Sequence, residues 1–216
     1  MQPERRFLDL SDPELPKIEL REAEDGSKRI AGYFAVYDRW SPVYGRFRER
    51  IAPGFFDDAV GRDDIRALFN HDESRLLGRN KAGTLALRSD NIGLYGEVSP
   101  IPNTPTGSEV AENLRLGNLT GASFAFSLPM EDGDKWAKAA DGVWERTLLR
   151  AENVYDVSVV TNPLYPQTEV GLREVRSQLE ESFNRWAAAH PEEVNPPEED
   201  STLALQGQKL RLVELG

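Results

Sequence analysis

Hydrophobic and polar residues alternate along much of the chain between residues 28 and 161, as they do in β-strands with one buried face. The apolar positions are rich in branched and aromatic side chains, and Gly, Pro, Asn and Asp separate the segments. This pattern predicts strands at 28–37, 65–71, 83–88, 93–98, 121–127, 143–149 and 154–161. A short polar turn separates 83–88 from 93–98, so we expect these two strands to form a hairpin.

Helices are predicted at three places. One short helix opens at residues 53–56, and a second begins where Thr106 and Glu109 have the spacing of a capping box and ends at Gly117. In the third, apolar residues recur at steps of three and four, which predicts an amphipathic helix: Leu172, Val175, Leu179, Phe183 and Trp186. Many short strands with few helices predict a mainly β fold with helices (α+β), built as a barrel or a sandwich.

Composition changes along the chain and predicts its organisation. Polar residues and three prolines dominate residues 1–27, whereas residues 28–173 carry the strand pattern of a compact domain. The amphipathic helix continues over 174–190, an acidic proline-rich linker follows at 191–200, and a tail occupies 201–216. No internal repeat is present in the sequence.

Length and charge then exclude several classes of protein. The chain has 216 residues, 39% of them hydrophobic, which suffices for one good core. A net charge of -11 argues against binding nucleic acid through its phosphates, and the absence of cysteine excludes disulfides and thiol catalysis. No apolar run is long enough to span a bilayer or to follow the first residues as a signal peptide, so we expect a cytoplasmic protein without a membrane anchor.

Ser123 is the first candidate for chemistry. In an alternating strand, Phe124 and Phe126 lie on one face, while Ser123, Ala125 and Ser127 lie on the other. The aromatic face must be buried, so we expect the serine face to be open, with only small side chains where a peptide could approach. That arrangement suits a nucleophile, although most serines on strands are solvated and have no catalytic role.

A base and an acid are available to such a serine. His71 ends an apolar strand, and the other histidine, His190, lies at the end of the amphipathic helix. Asp156 is the charged residue in an otherwise branched and aromatic strand. Cleavage of an amide without a metal needs a nucleophile, a base and a group that orients the base. Both residues also have an interpretation without catalysis. His71 could simply be hydrogen-bonded to nearby backbone, and Asp156 could be paired with a cation or face water.

Metal and phosphate chemistry are less well supported. Residues 70–73 offer one imidazole and two carboxylates, but ligands on a strand should alternate, and the domain has no second histidine. The glycines at 107, 117 and 121 do not have the spacing of a phosphate-binding loop. We therefore expect no metal and no cofactor.

Short motifs along residues 30–173 resemble those of the prohead maturation proteases of tailed bacteriophages. The motifs occur in order at 47–56, 67–72, 77–79, 83–85, 90–94, 121–126 and 156–163. That family is related to the herpesvirus assemblin proteases, and the resemblance implies a closed β-barrel surrounded by helices over 28–173. It also implies that Ser123 is the nucleophile and His71 the base.

The third catalytic residue and the oxyanion donors are set less firmly by the resemblance. The herpesvirus enzymes use a second histidine, whereas this chain has Asp156 in the matching strand, with Glu152 as the alternative. The oxyanion donors would be the backbone N–H groups of Leu164 and Tyr165, since the flanking prolines have none. Ala125 stands where a second glycine is common in the family, and its methyl group could narrow substrate choice.

The resemblance implies a serine endopeptidase that cleaves scaffold and major capsid-protein segments inside an assembling prohead, in the cytoplasm of the bacterial host. The alternative is a non-enzymatic assembly or scaffolding protein that keeps the fold. Partners other than the substrate would be a second copy of the chain, joined through helices, and no nucleic acid or membrane. The tail at 201–216 either targets the protease to the prohead, or is removed by the enzyme itself, or has no role.

Overall fold

In the computed structural model, residues 3–9, 14–22, 26–161 and 169–194 are described. The strands are β1 Glu4–Asp9, β2 Glu19–Glu22, β3 Lys28–Val36, β4 Phe47–Ile51, β5 Arg66–Phe69, β6 Asp72–Arg79, β7 Leu85–Ser89, β8 Gly93–Val98, β9 Gly121–Ser127, β10 Asp134–Lys138, β11 Trp144–Leu148 and β12 Asn153–Val160. The helices are α1 Asp57–Arg62, α2 Pro105–Arg115, α3 Glu169–Ala189 and α4 Pro191–Val194, with one 3₁₀ turn at Asn80–Ala82. The chain divides into two compact units, Met1–Leu179 and Glu180–Gly216.

The described strands of the first unit form three sheets. The five-stranded sheet has the order β1-β9-β12-β5-β6, the four-stranded sheet β2-β3-β8-β7, and the three-stranded sheet β10-β11-β4. In the first sheet β9 is antiparallel to both of its neighbours, whereas β12 and β5 are parallel. The hairpin of β7 and β8 forms as the sequence predicts, and the mainly β fold with a few helices is confirmed.

The closed barrel implied by the resemblance is not supported. Within the described residues no sheet closes on itself, because β1 and β6 are the two edges of the five-stranded sheet and do not pair with each other. Alternation of apolar residues shows which face of a strand is buried, but closure depends on stagger between strands distant in sequence. The local pattern therefore could not distinguish a barrel from open sheets.

An aromatic cluster behind β9 fixes that strand. The ring centroids of Phe56 and Phe124 lie 5.1 Å apart and those of Phe55 and Phe126 lie 5.4 Å apart, both edge to face. All four rings are buried. Such pairs contribute about 0.5–1.5 kcal/mol each beyond the burial of their area. This packing holds the aromatic face of β9 inward and leaves Ser123 on the opposite face.

The predicted helices are present, but α1 begins at Asp57, after the predicted opening at 53–56, and the start of α2 also differs. The side chain of Thr104 accepts a hydrogen bond from the backbone N–H of Gly107 at 3.2 Å, so Thr104 caps the helix and the predicted cap, Thr106, lies inside it. Pro105 at the first position explains the shift, since proline is favoured there and has no N–H to satisfy.

In the second unit, the Trp186 ring stacks on His190 with centroids 5.1 Å apart.

Candidate active site

Three neighbouring strands bring the candidate residues together. Ser123 lies on β9 directly opposite Ser158 of β12, and Asp156 of β12 lies opposite Ala125. A bulge in β12 between Val154 and Asp156 keeps Asp156 and Ser158 on the same face as Ser123. The serine and the acid therefore share one face of the sheet.

His71 enters this face from a tight turn after β5. Asn70 and His71 both have left-handed backbone angles, with φ of 57° and 55°. Such angles cost free energy for residues other than glycine, and hydrogen bonds to β12 hold them here. The backbone N–H of His71 donates to Ser158 Oγ at 3.2 Å, and the side chain of Asn70 accepts from the N–H of Thr161 at 2.9 Å. This turn places the imidazole between β9 and β12.

A continuous chain of hydrogen bonds joins the three candidate residues. His71 Nε2 lies 2.6 Å from Ser123 Oγ, and His71 Nδ1 lies 2.7 Å from Asp156 Oδ1. Ser158 Oγ donates to the same Asp156 oxygen at 2.7 Å. An ionised carboxylate only accepts hydrogen bonds, so Nδ1 carries the imidazole proton and Nε2 is left to accept one from Ser123. This arrangement can deprotonate a serine hydroxyl and stabilise the imidazolium that results.

The sequence predicts that the face of Ser123 is open, and this prediction is wrong because the site is buried. Ser123 is completely buried, and the side chains of His71 and Asp156 are only 5% and 11% exposed. Strand β1 covers the site, because Phe7 lies directly opposite Ser123 and its ring meets the His71 ring edge to face at 5.9 Å. Ser123 Oγ also lies 2.9 Å from the carbonyl oxygen of Arg6.

A buried ionic cluster lies on the inner side of β1, on the face of the sheet opposite Ser123, since Arg6 pairs with Phe124 and lies over the Phe126 ring. It joins two guanidinium groups to three carboxylates: Arg6, Arg146, Glu4, Glu49 and Asp134. Burial alone would raise the pKa of Glu4, but Arg146 and Arg6 outweigh it and hold that pKa at about 2. Burial would lower the pKa of Arg6, but Glu49 and Glu4 raise it above its usual value. The sequence analysis missed this cluster, because charged residues at spaced positions are usually exposed.

The other residues named from the sequence do not join the hydrogen-bonded chain. Glu152 is exposed at the start of β12, and its backbone N–H donates to the carbonyl of Ser127 at 2.8 Å. Ala125 is buried on the face of Ser123, next to the site. His190 belongs to the second unit, where its Nδ1 lies 2.9 Å from the backbone oxygen of Trp186. Leu164 and Tyr165, the candidate oxyanion donors, lie outside the described residues.

The described residues also bear on metal ligation and membrane insertion. In that part of the chain no group of three or more His, Cys, Asp or Glu side chains is placed to hold a metal ion. None of the helices described is long and apolar enough to cross a membrane.

Comparison with families of known proteins finds a match. The model of a family described as caudovirus prohead serine protease matches residues 16–182, which is most of the chain. No curated protein and no solved structure matches. The matched range contains β9, β12 and the turn at His71, whereas β1 precedes it.

Proposed function

The chain belongs to the caudovirus prohead serine protease family, and we propose that it is an endopeptidase that cleaves scaffold and major capsid-protein segments during prohead maturation. The observation that carries this proposal is the chain of hydrogen bonds from Ser123 through His71 to Asp156. A protein that only bound capsid subunits would have no need for a nucleophile, a base and an orienting acid joined by hydrogen bonds. The site of action would be the interior of the assembling prohead.

The first half of the reaction forms an acyl-enzyme. Ser123 Oγ attacks the carbonyl carbon of the scissile peptide while its proton passes to His71 Nε2. The carboxylate of Asp156 stabilises the imidazolium through Nδ1–H and is not itself protonated. When the tetrahedral intermediate collapses, the C–N bond breaks and His71 returns the proton to the leaving amine.

Water completes the cycle. His71 Nε2 accepts a proton from the water as its oxygen attacks the ester carbonyl, and the same proton returns to Ser123 Oγ when the ester bond breaks. Donors are needed for the oxyanion in both halves. We assign that role to the backbone N–H groups of Leu164 and Tyr165, on the basis of the family resemblance. The third catalytic position belongs to Asp156 rather than to the exposed Glu152.

One observation favours the alternative, a non-enzymatic assembly or scaffolding protein with the fold of a protease. Ser123 is completely buried under β1, so a substrate does not reach it without a movement of the chain. A covered site is also what a latent protease would show before activation. The two functions therefore differ in whether Ser123 ever reacts.

Co-expression with the capsid-protein precursor of the same phage tests the proposal. We expect the wild-type chain to convert the precursor to a shorter product, and the Ser123→Ala variant to leave it intact while proheads still assemble. Electrophoresis and intact-mass measurement of the capsid protein would detect the cut. A precursor that the alanine variant shortens at the wild-type rate would contradict the assignment.

A further inference from the structure

Strand β1 lies along the strand that carries Ser123. It is an edge strand of the five-stranded sheet and pairs with β9 over residues 4–9, with Phe7 opposite Ser123 and Arg6 opposite Phe124. Proteins often bind an extended peptide by adding it as a strand to the edge of a sheet. Without β1, the edge of this sheet would be β9 itself. Strand β1 thus occupies the place that a peptide would take beside the candidate nucleophile.

The backbone of β1 meets Ser123 at a defined point. Ser123 Oγ lies 2.9 Å from the carbonyl oxygen of Arg6 and 2.6 Å from His71 Nε2. The hydroxyl has one proton and two acceptors, so the Arg6 carbonyl competes with the base for it. A peptide carbonyl held within hydrogen-bond distance of the nucleophile is also what a substrate presents. Residue 6 therefore stands where the residue on the acyl side of a scissile bond would stand.

The side chain of Arg6 fills a pocket suited to a cation. Its guanidinium donates to both carboxylate oxygens of Glu49 and to Gln178 Oε1, the latter at 2.8 Å. It also lies over the Phe126 ring, 5.6 Å from the centroid. Two parallel bonds from one guanidinium to one carboxylate give geometric specificity as well as energy. The pocket is therefore selective for a basic side chain.

The charges around the pocket also favour a basic side chain. Removing β1 takes away Glu4 and Arg6, and of the five side chains in the ionic cluster it leaves Arg146 beside Glu49 and Asp134. Two carboxylates would then face one guanidinium. The net charge of these three groups is -1, as it is for the full cluster, so the emptied site favours a basic residue in the place of Arg6. An acidic residue two positions before it could replace Glu4 on Arg146.

We propose that the edge of β9 is a peptide-binding site, that its ligand is an extended peptide with Arg or Lys in the place of Arg6, and that β1 occupies this site as an internal substitute. The assignment of the ligand as substrate, cleaved after the basic residue, rests on the proposed function. Substrate and β1 use the same edge, so β1 must leave before substrate pairs with β9. The buried Ser123 then belongs to the closed state of the enzyme.

Peptide binding tests the site without requiring catalysis. The probe is a fluorescent peptide with the sequence of residues 3–9, and the proteins are the full chain with Ser123→Ala, alone or together with Arg6→Ala to loosen β1. We expect the double variant to bind the probe at least tenfold more tightly than the single variant does. Replacing the residue-6 arginine of the probe by alanine should weaken binding at least tenfold, and replacing it by lysine should weaken it less. Equal binding of the arginine and alanine probes by the folded double variant would overturn the proposal.

A reversible lock keeps the proposal testable if Arg6→Ala does not fold. The chain has no cysteine, and Arg5 lies directly opposite Ala125, so the pair Arg5→Cys and Ala125→Cys can join β1 to β9 by a disulfide. We expect the oxidised form to react with a fluorophosphonate at least tenfold more slowly than its own reduced form. The control lock, Ala86→Cys with Glu97→Cys, joins β7 to β8 in another sheet and should change the rate less than twofold.

The outcomes separate this proposal from the proposed function. An oxidised β1 lock that reacts as fast as its reduced form would overturn the displacement of β1, while the protease assignment would stand. Arginine-dependent binding of the probe, with no fluorophosphonate reaction and no capsid cleavage by the wild-type chain, would support the binding site and contradict the protease assignment.

Discussion

The Asp156→Asn substitution should slow the reaction of Ser123 less here than in an ordinary triad, because His71 and Ser158 both bond the same oxygen of Asp156. In an ordinary Ser-His-Asp triad this change lowers kcat about 10⁴-fold, because the amide turns its NH₂ group toward the histidine and imposes the wrong tautomer. Here Asp156 Oδ1 accepts from both His71 Nδ1 and Ser158 Oγ. Ser158 would hold the amide oxygen of asparagine in that position, so the productive tautomer should persist.

The expected reduction in rate then comes only from the loss of the negative charge of Asp156. Exchanging a charge-assisted hydrogen bond for a neutral one costs roughly 1–2.5 kcal/mol, which corresponds to a rate reduction of about 5- to 70-fold. The rate of fluorophosphonate labelling measures it without knowledge of the cleavage site. Ser158→Ala alone should cost less than about fivefold, because Asp156 still faces His71.

The double variant, Asp156→Asn with Ser158→Ala, removes the hydroxyl that orients the amide. It should approach the 10⁴-fold loss and exceed the product of the two single losses. Circular dichroism and thermal unfolding would show that all three variants fold. A loss near 10⁴-fold in the folded Asp156→Asn variant, or a double variant no slower than Asp156→Asn, would refute this role of Ser158.

Three further predictions concern the base and the ionic cluster. His71→Gln should reduce labelling of Ser123 at least 10³-fold, because glutamine does not accept the Ser123 proton as imidazole does; the labelling rates of the two proteins measure it. Glu4 has a pKa lowered to about 2, so its contribution of roughly 3 kcal/mol to the free energy of unfolding is complete above its usual pKa and is lost as pH falls through about 2. Urea unfolding between pH 2 and 6 should show this slope, and Glu4→Gln should flatten it. Arg146→Ala should lower the free energy of unfolding by about 3–5 kcal/mol, because it removes a cation from buried carboxylates, whereas Arg115→Ala at an exposed pair should leave that free energy essentially unchanged.

Local patterns in the sequence were sufficient for the elements that build the site. Alternation placed Ser123 opposite the aromatic face of its strand, and its charge distinguished Asp156 in an otherwise branched and aromatic strand. The scarcity of histidine left His71 as the base candidate in the compact domain. Period and composition are properties of a few neighbouring residues, so they can be evaluated without knowledge of the fold.

Features that depend on long-range pairing could not be predicted. Arg6 and Ser123 are 117 positions apart in the chain, and nothing in the polar sequence of residues 4–9 indicates that they pair with β9 and close the site. Glu49 and Arg146 look like solvated charges in sequence, yet both are buried in the ionic cluster. The prediction of a closed barrel was wrong for the same reason, since closure depends on pairing between strands that are far apart in sequence.

The central claim is that Ser123 is a nucleophile activated by His71, and mapping a fluorophosphonate adduct by mass spectrometry tests it most directly. The account predicts a single adduct on Ser123 in the wild-type chain, none in Ser123→Ala, and a rate at least 10³-fold lower in His71→Gln. An adduct on Ser127 or Ser158 instead, or wild-type labelling of Ser123 in the His71→Gln variant, would contradict it.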